Sequence, residues 1–255
     1  MKNIKLKLEY DGSAYHGFQI QPDVKTVQGV LSDSLKKISG EDIKVYGCSR
    51  TDAGVHAADY CASFYLSVPI PPEKIAMILN NVLPDDIRIL SSEEADDDFH
   101  ARFSCVSKTY EYTVNTDPEA GVFTAGYEWQ IRRALDCELM KDAASYIVGT
   151  HDFKSFMTSG PEMETTVRTV NNIDIVCDGK TVKIYINADG YLYNMVRIIT
   201  GTLYNVGTGK TEPGYVKTII EKKDRSYAGP TAPPQGLALF KVYYDSKEQD
   251  TNERI

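Results

Sequence analysis

Ser49-Arg50-Thr51-Asp52-Ala53-Gly54-Val55-His56-Ala57 places an arginine two residues before an aspartate and a glycine two residues after it. Apolar, strand-like runs lie on either side, residues 43–48 before and 60–66 after. A carboxylate in a loop between two strands is open to a ligand, and loops held by rigid strands are where binding and chemistry concentrate. Asp and Gly are equally ordinary turn formers, so spacing alone leaves a plain turn beside a functional carboxylate.

Outward from this loop the chain reads as a split α+β pattern. Ile4, Leu6, Leu8 and Tyr10 alternate with Lys5, Lys7 and Glu9, the period of a half-buried strand. After Asp11-Gly12-Ser13, the residues Val27, Val30, Leu31, Leu35 and Ile38 keep to one helical face, with Gly40 as the stop. A second helix is expected over 73–81, ended near Pro84, and a strand over 87–91. Strand, helix, strand, strand, helix, strand is the order of a ferredoxin-like split unit. A similar order follows: a strand at 108–114, an irregular stretch to Trp129, then a helix at 135–148. Strands at 170–177 and 182–187 join at Asp178-Gly179, and helices at 193–206 and 215–222 precede a last strand at 237–244. The expectation is two α+β halves, residues 1–104 and 105–245, with a frayed polar tail at 246–255. Pro230, Pro233 and Pro234, with Gly229 and Gly236, mark a rigid loop before the last strand, either a connector or a pocket wall.

A chain of 255 residues with 42% hydrophobic content can bury one or two cores. Its net charge of −8 weighs against a general nucleic-acid coat protein. A local basic cleft is still open to it, because recognition depends on where charge sits. Arg50, Arg102, Lys108, Arg132, Arg133, Lys154, Arg168 and Arg197 are candidates for such a cleft, and the acidic run 93–98 reads as a solvated face. The five cysteines are odd in number and lack a CxxC spacing, so neither a metal knuckle nor a disulfide framework is indicated. Free thiols fit a reducing cytoplasm. The alternating N-terminus is unlike a secretory signal, and no run approaches the roughly 18 apolar residues of a membrane span.

No P-loop and no GxGxxG occurs, so no nucleotide cofactor is signalled. His16, His56, His100 and His151 are scattered without metal-ligand spacing, and no serine sits in a nucleophile elbow. A loop carboxylate, arginines and tyrosines remain. A carboxylate works as nucleophile or base without a cofactor. A neighbouring arginine keeps it ionised. An aromatic ring beside it can stack on a nucleobase, worth about 1–3 kcal/mol.

The stretch from Arg50 to Ala57 resembles the signature of the tRNA pseudouridine synthase A family. Further blocks are similar in the same order: Tyr10-Asp11-Gly12 with Tyr15-His16-Gly17-Phe18-Gln19, then Asp98-Phe99-His100-Ala101-Arg102-Phe103-Ser104 with Lys108-Thr109-Tyr110-Glu111-Tyr112. His151-Asp152-Phe153 with Ser155-Phe156, Met195-Val196-Arg197 with Gly201-Thr202-Leu203 and Val206-Gly207, and Thr231-Ala232-Pro233 with Gly236-Leu237 complete the set. The resemblance implies a cofactor-free and metal-free isomerase that converts uridine to pseudouridine in the tRNA anticodon arm, at tRNA positions 38, 39 and 40. It implies an α+β pseudouridine synthase fold, with two ferredoxin-like halves, a merged antiparallel sheet, helices on one face and the cleft between the halves. It also implies a cytoplasmic homodimer that binds tRNA across both subunits.

By the same resemblance Asp52 matches the essential aspartate, acting on sugar or base. Arg197 matches the arginine expected to pair with it, and Tyr110 the tyrosine that stacks on the target base. Arg50 matches an arginine that helps extrude the nucleotide, a step that costs a few kcal/mol, or that clamps a phosphate. Leu237 is a candidate pocket-lining or core residue. His56 reads best as satisfying backbone groups, and Arg102, Lys108 and Arg168 are candidate phosphate contacts. Ser49, Ile20, Phe18, Asp59-Tyr60 and Tyr193-Asn194 depart from the family's usual residues; the lost arginine at 20 and the gained acid at 59 should weaken phosphate binding. A divergent paralogue with another uridine target, a non-catalytic RNA-binding module on the same fold, and a carboxylate hydrolase are the competing readings.

Overall fold

The computed structural model describes residues 1–158 and 164–245. The described residues form two compact units, one of residues 1–106 with 238–245, the other within Ser107–Leu237. The first unit runs β1 (Lys2–Tyr10), α1 (Val27–Ser39), β2 (Tyr46–Gly47), β3 (His56–Leu66), α2 (Pro72–Asn80) and β4 (Ile87–Glu94). Its strands lie in the order β4-β1-β3-β2, all antiparallel, which is the split arrangement the element order implied.

Local chemistry sets these elements. Ile4, Leu6 and Leu8 of β1 are fully buried, as their alternation requires. The Thr26 side chain caps α1 by accepting from the Gly29 N–H, and Gly40 ends it in the left-handed region at φ 76. Ile75 and Leu79 bury α2, and Asn80 splices it to β4, its Nδ2 donating to Ile89 O and its Oδ1 accepting from Ile89 N.

The second unit runs β5 (Ser107–Asn115), β6 (Trp129–Gln130), α3 (Cys137–Ser145), β7 (Gly149–Asp152), a 3₁₀ turn at Phe153–Phe156, β8 (Val167–Asp178), β9 (Thr181–Ala188), α4 (Met195–Gly207) and α5 (Tyr215–Lys222). Its antiparallel order is β5-β9-β8-β7, with β6 parallel to β5. Ile198, Ile199, Leu203 and Val206 of α4 are buried, and α4 packs on α3, where Gly207 leaves room for the Met140 side chain.

The last strand, β10 (Leu237–Tyr243), pairs in parallel with β3 through Ala238↔His56 and Leu239↔Ala57. That pairing returns residues 238–245 to the first unit, whereas the sequence reading puts all of 105–245 in the second half. The expected tail at 246–255 lies outside the described residues. A further difference concerns cysteine. Cys137 at the start of α3 and Cys177 near the end of β8 are joined in a disulfide, while Cys48, Cys61 and Cys105 lie outside any disulfide among the described residues. Tertiary packing of α3 on β8 makes this pair, and no local spacing announces it. Among the described residues, no helix is long and apolar enough to cross a membrane.

Candidate active site

The loop before β3 is clamped from both ends. At its entry, the Tyr60 hydroxyl donates to Ser49 O and accepts from Ser49 N at 3.3 Å. Phe18 stacks on the Tyr60 ring at 4.3 Å between centroids. Gly47 lets both rings close in, since a Cβ there would lie 2.2 Å from Tyr60 Oη and 2.3 Å from Phe18 Cε1. At the centre, Tyr10 and Thr51 share a buried hydroxyl hydrogen bond at 2.8 Å, and Phe18 N donates to Thr51 O. Gly17, at φ 83, approaches so closely that a Cβ would sit 2.3 Å from Thr51 O. At its exit, Val55 N closes a turn onto Asp52 O, and Gly54 N donates to Tyr15 O.

The residues flanking Asp52 are therefore fixed by the chain between Tyr10 and Phe18, and Asp52 itself is half-buried. His56 belongs to the clamp: its Nδ1 accepts from Gly12 N at 3.1 Å. Asp11 Oδ1 also lies 3.1 Å from that nitrogen. Gly12 and Asp11 thus both hold the imidazole from its Nδ1 side. Arg50 is exposed, at the mouth of the same loop.

In the second unit the guanidinium of Arg197, in the first turn of α4, is aimed by two acceptors. Nε donates to Ala232 O at 2.7 Å, and Nη1 donates to Asn194 Oδ1 at 2.7 Å. Asn194 precedes the helix in the left-handed region at φ 62, and its Nδ2 donates to Thr158 Oγ1. Ala232 N returns a bond to Arg197 O. The Pro-rich loop carrying Ala232 is itself anchored. Gly229 and Gly201 touch backbone to backbone, a Cβ at Gly201 falling 1.8 Å from Pro230 O. The Tyr112 hydroxyl donates to Pro233 O at 2.7 Å. Burial lifts the Tyr112 phenol well above its ordinary pKa, although the nearby Arg197 charge opposes this, so it stays a donor at any working pH.

Tyr110 lies on β5, 5% exposed, with its ring edge-on to Tyr191 at 4.9 Å. The Tyr191 hydroxyl sits between Lys108 O and Ile186 O, at 2.7 and 2.6 Å, and so fixes that partner ring. Leu237 opens β10 and is buried.

Asp52, Arg50 and His56 thus share one loop of the first unit, and Tyr110, Arg197 and Leu237 belong to the second. The candidate phosphate contacts divide. Arg102 is exposed. Lys108 is buried, a poor position for reaching phosphate in solvent. The Arg168 Nη1 is turned back onto the carbonyls of Val167 and Thr165, at 2.6 and 3.2 Å. Sequence reasoning missed Asn194 and the Ala232 carbonyl. The pair Tyr193-Asn194 had stood out as unusual, but a left-handed residue serving a side chain three positions on is a product of the chain's path.

A β4-β1-β3-β2 split sheet with an acidic loop leading into β3, followed by a second sheet-and-helix unit, has the architecture of the pseudouridine synthase fold. A family model described as tRNA pseudouridine synthase matches residues 8–104 and 143–245. The tRNA pseudouridine synthase A of Clostridium acetobutylicum is 49% identical over 244 residues, covering 96% of this chain and 100% of that protein. At 46% identity and the same coverage stand tRNA pseudouridine synthase A 2 of Clostridium perfringens and tRNA pseudouridine synthase A of Thermoanaerobacter sp.. The chain belongs to the tRNA pseudouridine synthase family.

Proposed function

We propose that this chain isomerises uridine to pseudouridine in the anticodon arm of tRNA, at positions 38, 39 and 40, with Asp52 as the essential carboxylate. The observation that carries the reading is likeness over full length: proteins named tRNA pseudouridine synthase A are matched end to end at 46–49% identity. The reaction breaks the bond between ribose and N1, turns the base and joins ribose to C5. The proton lost from C5 is balanced by one gained at N1, so mass is unchanged and no cofactor is consumed.

In this reading Asp52 acts on the nucleotide as nucleophile or base, from a loop whose flanks are immobilised by Tyr60, Thr51 and Gly17. Arg197 pairs with the carboxylate and keeps it ionised, aimed by Asn194 Oδ1 and Ala232 O. Tyr110 stacks on the uracil, its ring held by Tyr191. Arg50, exposed beside Asp52, supports extrusion of the nucleotide, which costs a few kcal/mol. Leu237 lines the pocket, and Arg102 takes a phosphate. The working form is a cytoplasmic homodimer. A dimer brings two sets of exposed arginines to one tRNA, so the attraction comes from where positive charge sits and not from the net charge of −8 on each chain.

The test is incubation of the purified protein with unmodified tRNA, then carbodiimide labelling and primer extension. New stops in the anticodon arm are expected. Labelling confined to another RNA site would make the chain a synthase of different target. Binding to tRNA with no labelled base would reduce it to an RNA-binding module.

A further inference from the structure

The first unit carries a pile of rings on its surface. Tyr46 of β2 packs on His100 at 4.7 Å between centroids, and His100 packs on Phe103 at 4.5 Å with planes 37° apart. Lys44 Nζ stands 5.1 Å from the Tyr46 ring centre, and the Arg102 guanidinium 5.5 Å from that of Phe103. Phe103 is 76% exposed. Lys44 and Arg102 are exposed too, and among the described residues neither has a carboxylate partner.

The pile is built rather than incidental. His100 Nδ1 accepts from Arg102 N at 3.1 Å and Phe103 N at 3.4 Å. Ser104 closes the turn, its N–H donating to His100 O and its Oγ accepting from His100 N. The imidazole is thereby held between Tyr46 and Phe103, tilted 51° to the first ring and 37° to the second. Burial lowers its pKa, with the Arg102 and Lys44 charges adding to the effect, so at neutral pH it stacks as an uncharged ring. A single exposed phenylalanine needs no explanation. An exposed ring backed by two others and flanked by two unpaired cations matches what single-stranded RNA requires, a π face for a base and positive charge for the adjoining phosphates.

We propose that Tyr46, His100 and Phe103, with Lys44 and Arg102, form an RNA platform on which an unpaired base of the bound tRNA stacks against Phe103. The proposal rests on the tRNA reading above and adds a contact outside the catalytic set. It selects loop nucleotides over the stem, because bases inside a duplex have no free face. Asp96, Asp97 and Asp98 precede the turn and are exposed, so they oppose phosphate. Stacking must therefore supply much of the attraction, and the aromatic substitution is the deciding one.

The experiment measures binding of a labelled unmodified tRNA transcript to wild type, Phe103→Ala, Phe103→Trp, Lys44→Gln and Arg102→Gln between about 50 and 200 mM salt. Phe103→Ala should raise Kd at least about fivefold, with an unchanged melting curve, and Phe103→Trp should restore it. Lys44→Gln and Arg102→Gln should each reduce the salt slope by about 0.7–0.9. Kd of Phe103→Ala within about twofold of wild type, with normal pseudouridine formation, overturns the platform and leaves the functional reading standing. A fall in sedimenting mass of Phe103→Ala with unchanged Kd also overturns it, and makes the patch a contact between copies. A wild type that neither binds nor modifies tRNA sinks both.

Discussion

Asn194 holds a backbone conformation and a functional side chain at once. At φ 62 it occupies a region that asparagine tolerates and alanine resists by about 1 kcal/mol, and from there its Oδ1 fixes Arg197 Nη1. Asn194→Ala should therefore lose about 1 kcal/mol of stability and slow pseudouridine formation by between about 10- and 100-fold through misplacement of the guanidinium. Asn194→Gly separates the two roles. Its denaturation midpoint should recover while its rate stays low, and recovery of both would remove Asn194 from the positioning of Arg197. Asp52 was legible because a charged residue between turn formers and strands stands out against its surroundings. Asn194 was not, because its importance comes from the direction in which the chain enters α4. Lys108 looked like a surface cation in the sequence, yet it faces inward from β5, where strand alternation alone does not say which face is covered.

Among the elements, the 3₁₀ turn at Phe153–Phe156 is tied down by one carboxylate. Asp152 accepts from Lys154 N, takes the Thr166 hydroxyl at 2.5 Å and lies 3.0 Å from Lys223 Nζ. Burial by itself raises its pKa, but these three partners outweigh burial and leave it below the ordinary value. A carboxyl depressed in the folded state adds stability above its unfolded pKa of about 4 and loses it as the pH falls below that. Asp152→Ala should cost about 1–2 kcal/mol at neutral pH, and the difference from wild type should shrink in denaturant titrations below about pH 4. A constant difference across that range would contradict the assignment.

The disulfide between Cys137 and Cys177 closes a separation of 40 residues, which is worth about 4 kcal/mol in chain entropy. Reduction should therefore lower the thermal midpoint of the second unit by on the order of 10 °C. No change on reduction would mean that the bond contributes nothing to the folded state. Helices α1 and α5 were readable almost to the residue, because their apolar faces repeat and Gly40 stops the first. The strand β7 escaped, being short and opened by Gly149 at φ 115, a start that only its pairing with β8 stabilises. The disulfide escaped for a related reason: its partners meet only after α3 has packed on β8.

On the scale of the molecule, the order of strands and helices in each unit follows from local patterns, but the return of β10 to β3 does not. The two parallel pairs, Ala238↔His56 and Leu239↔Ala57, join residues far apart in the chain, and nothing near either one signals the other. That return places β10 against the first residues after the Asp52 loop, which helps to hold the loop's exit. The proposed homodimer makes a plain expectation for the whole particle: sedimentation equilibrium should give twice the chain mass of 28.5 kDa, and a stable single-chain mass at micromolar concentration would refute it. Catalysis turns on one carboxylate, and Asp52→Asn keeps its size while removing its charge. This variant should melt as wild type does, bind tRNA with comparable affinity and form no pseudouridine by carbodiimide labelling. A folded Asp52→Asn protein that modifies tRNA at the wild-type rate would contradict the central claim outright.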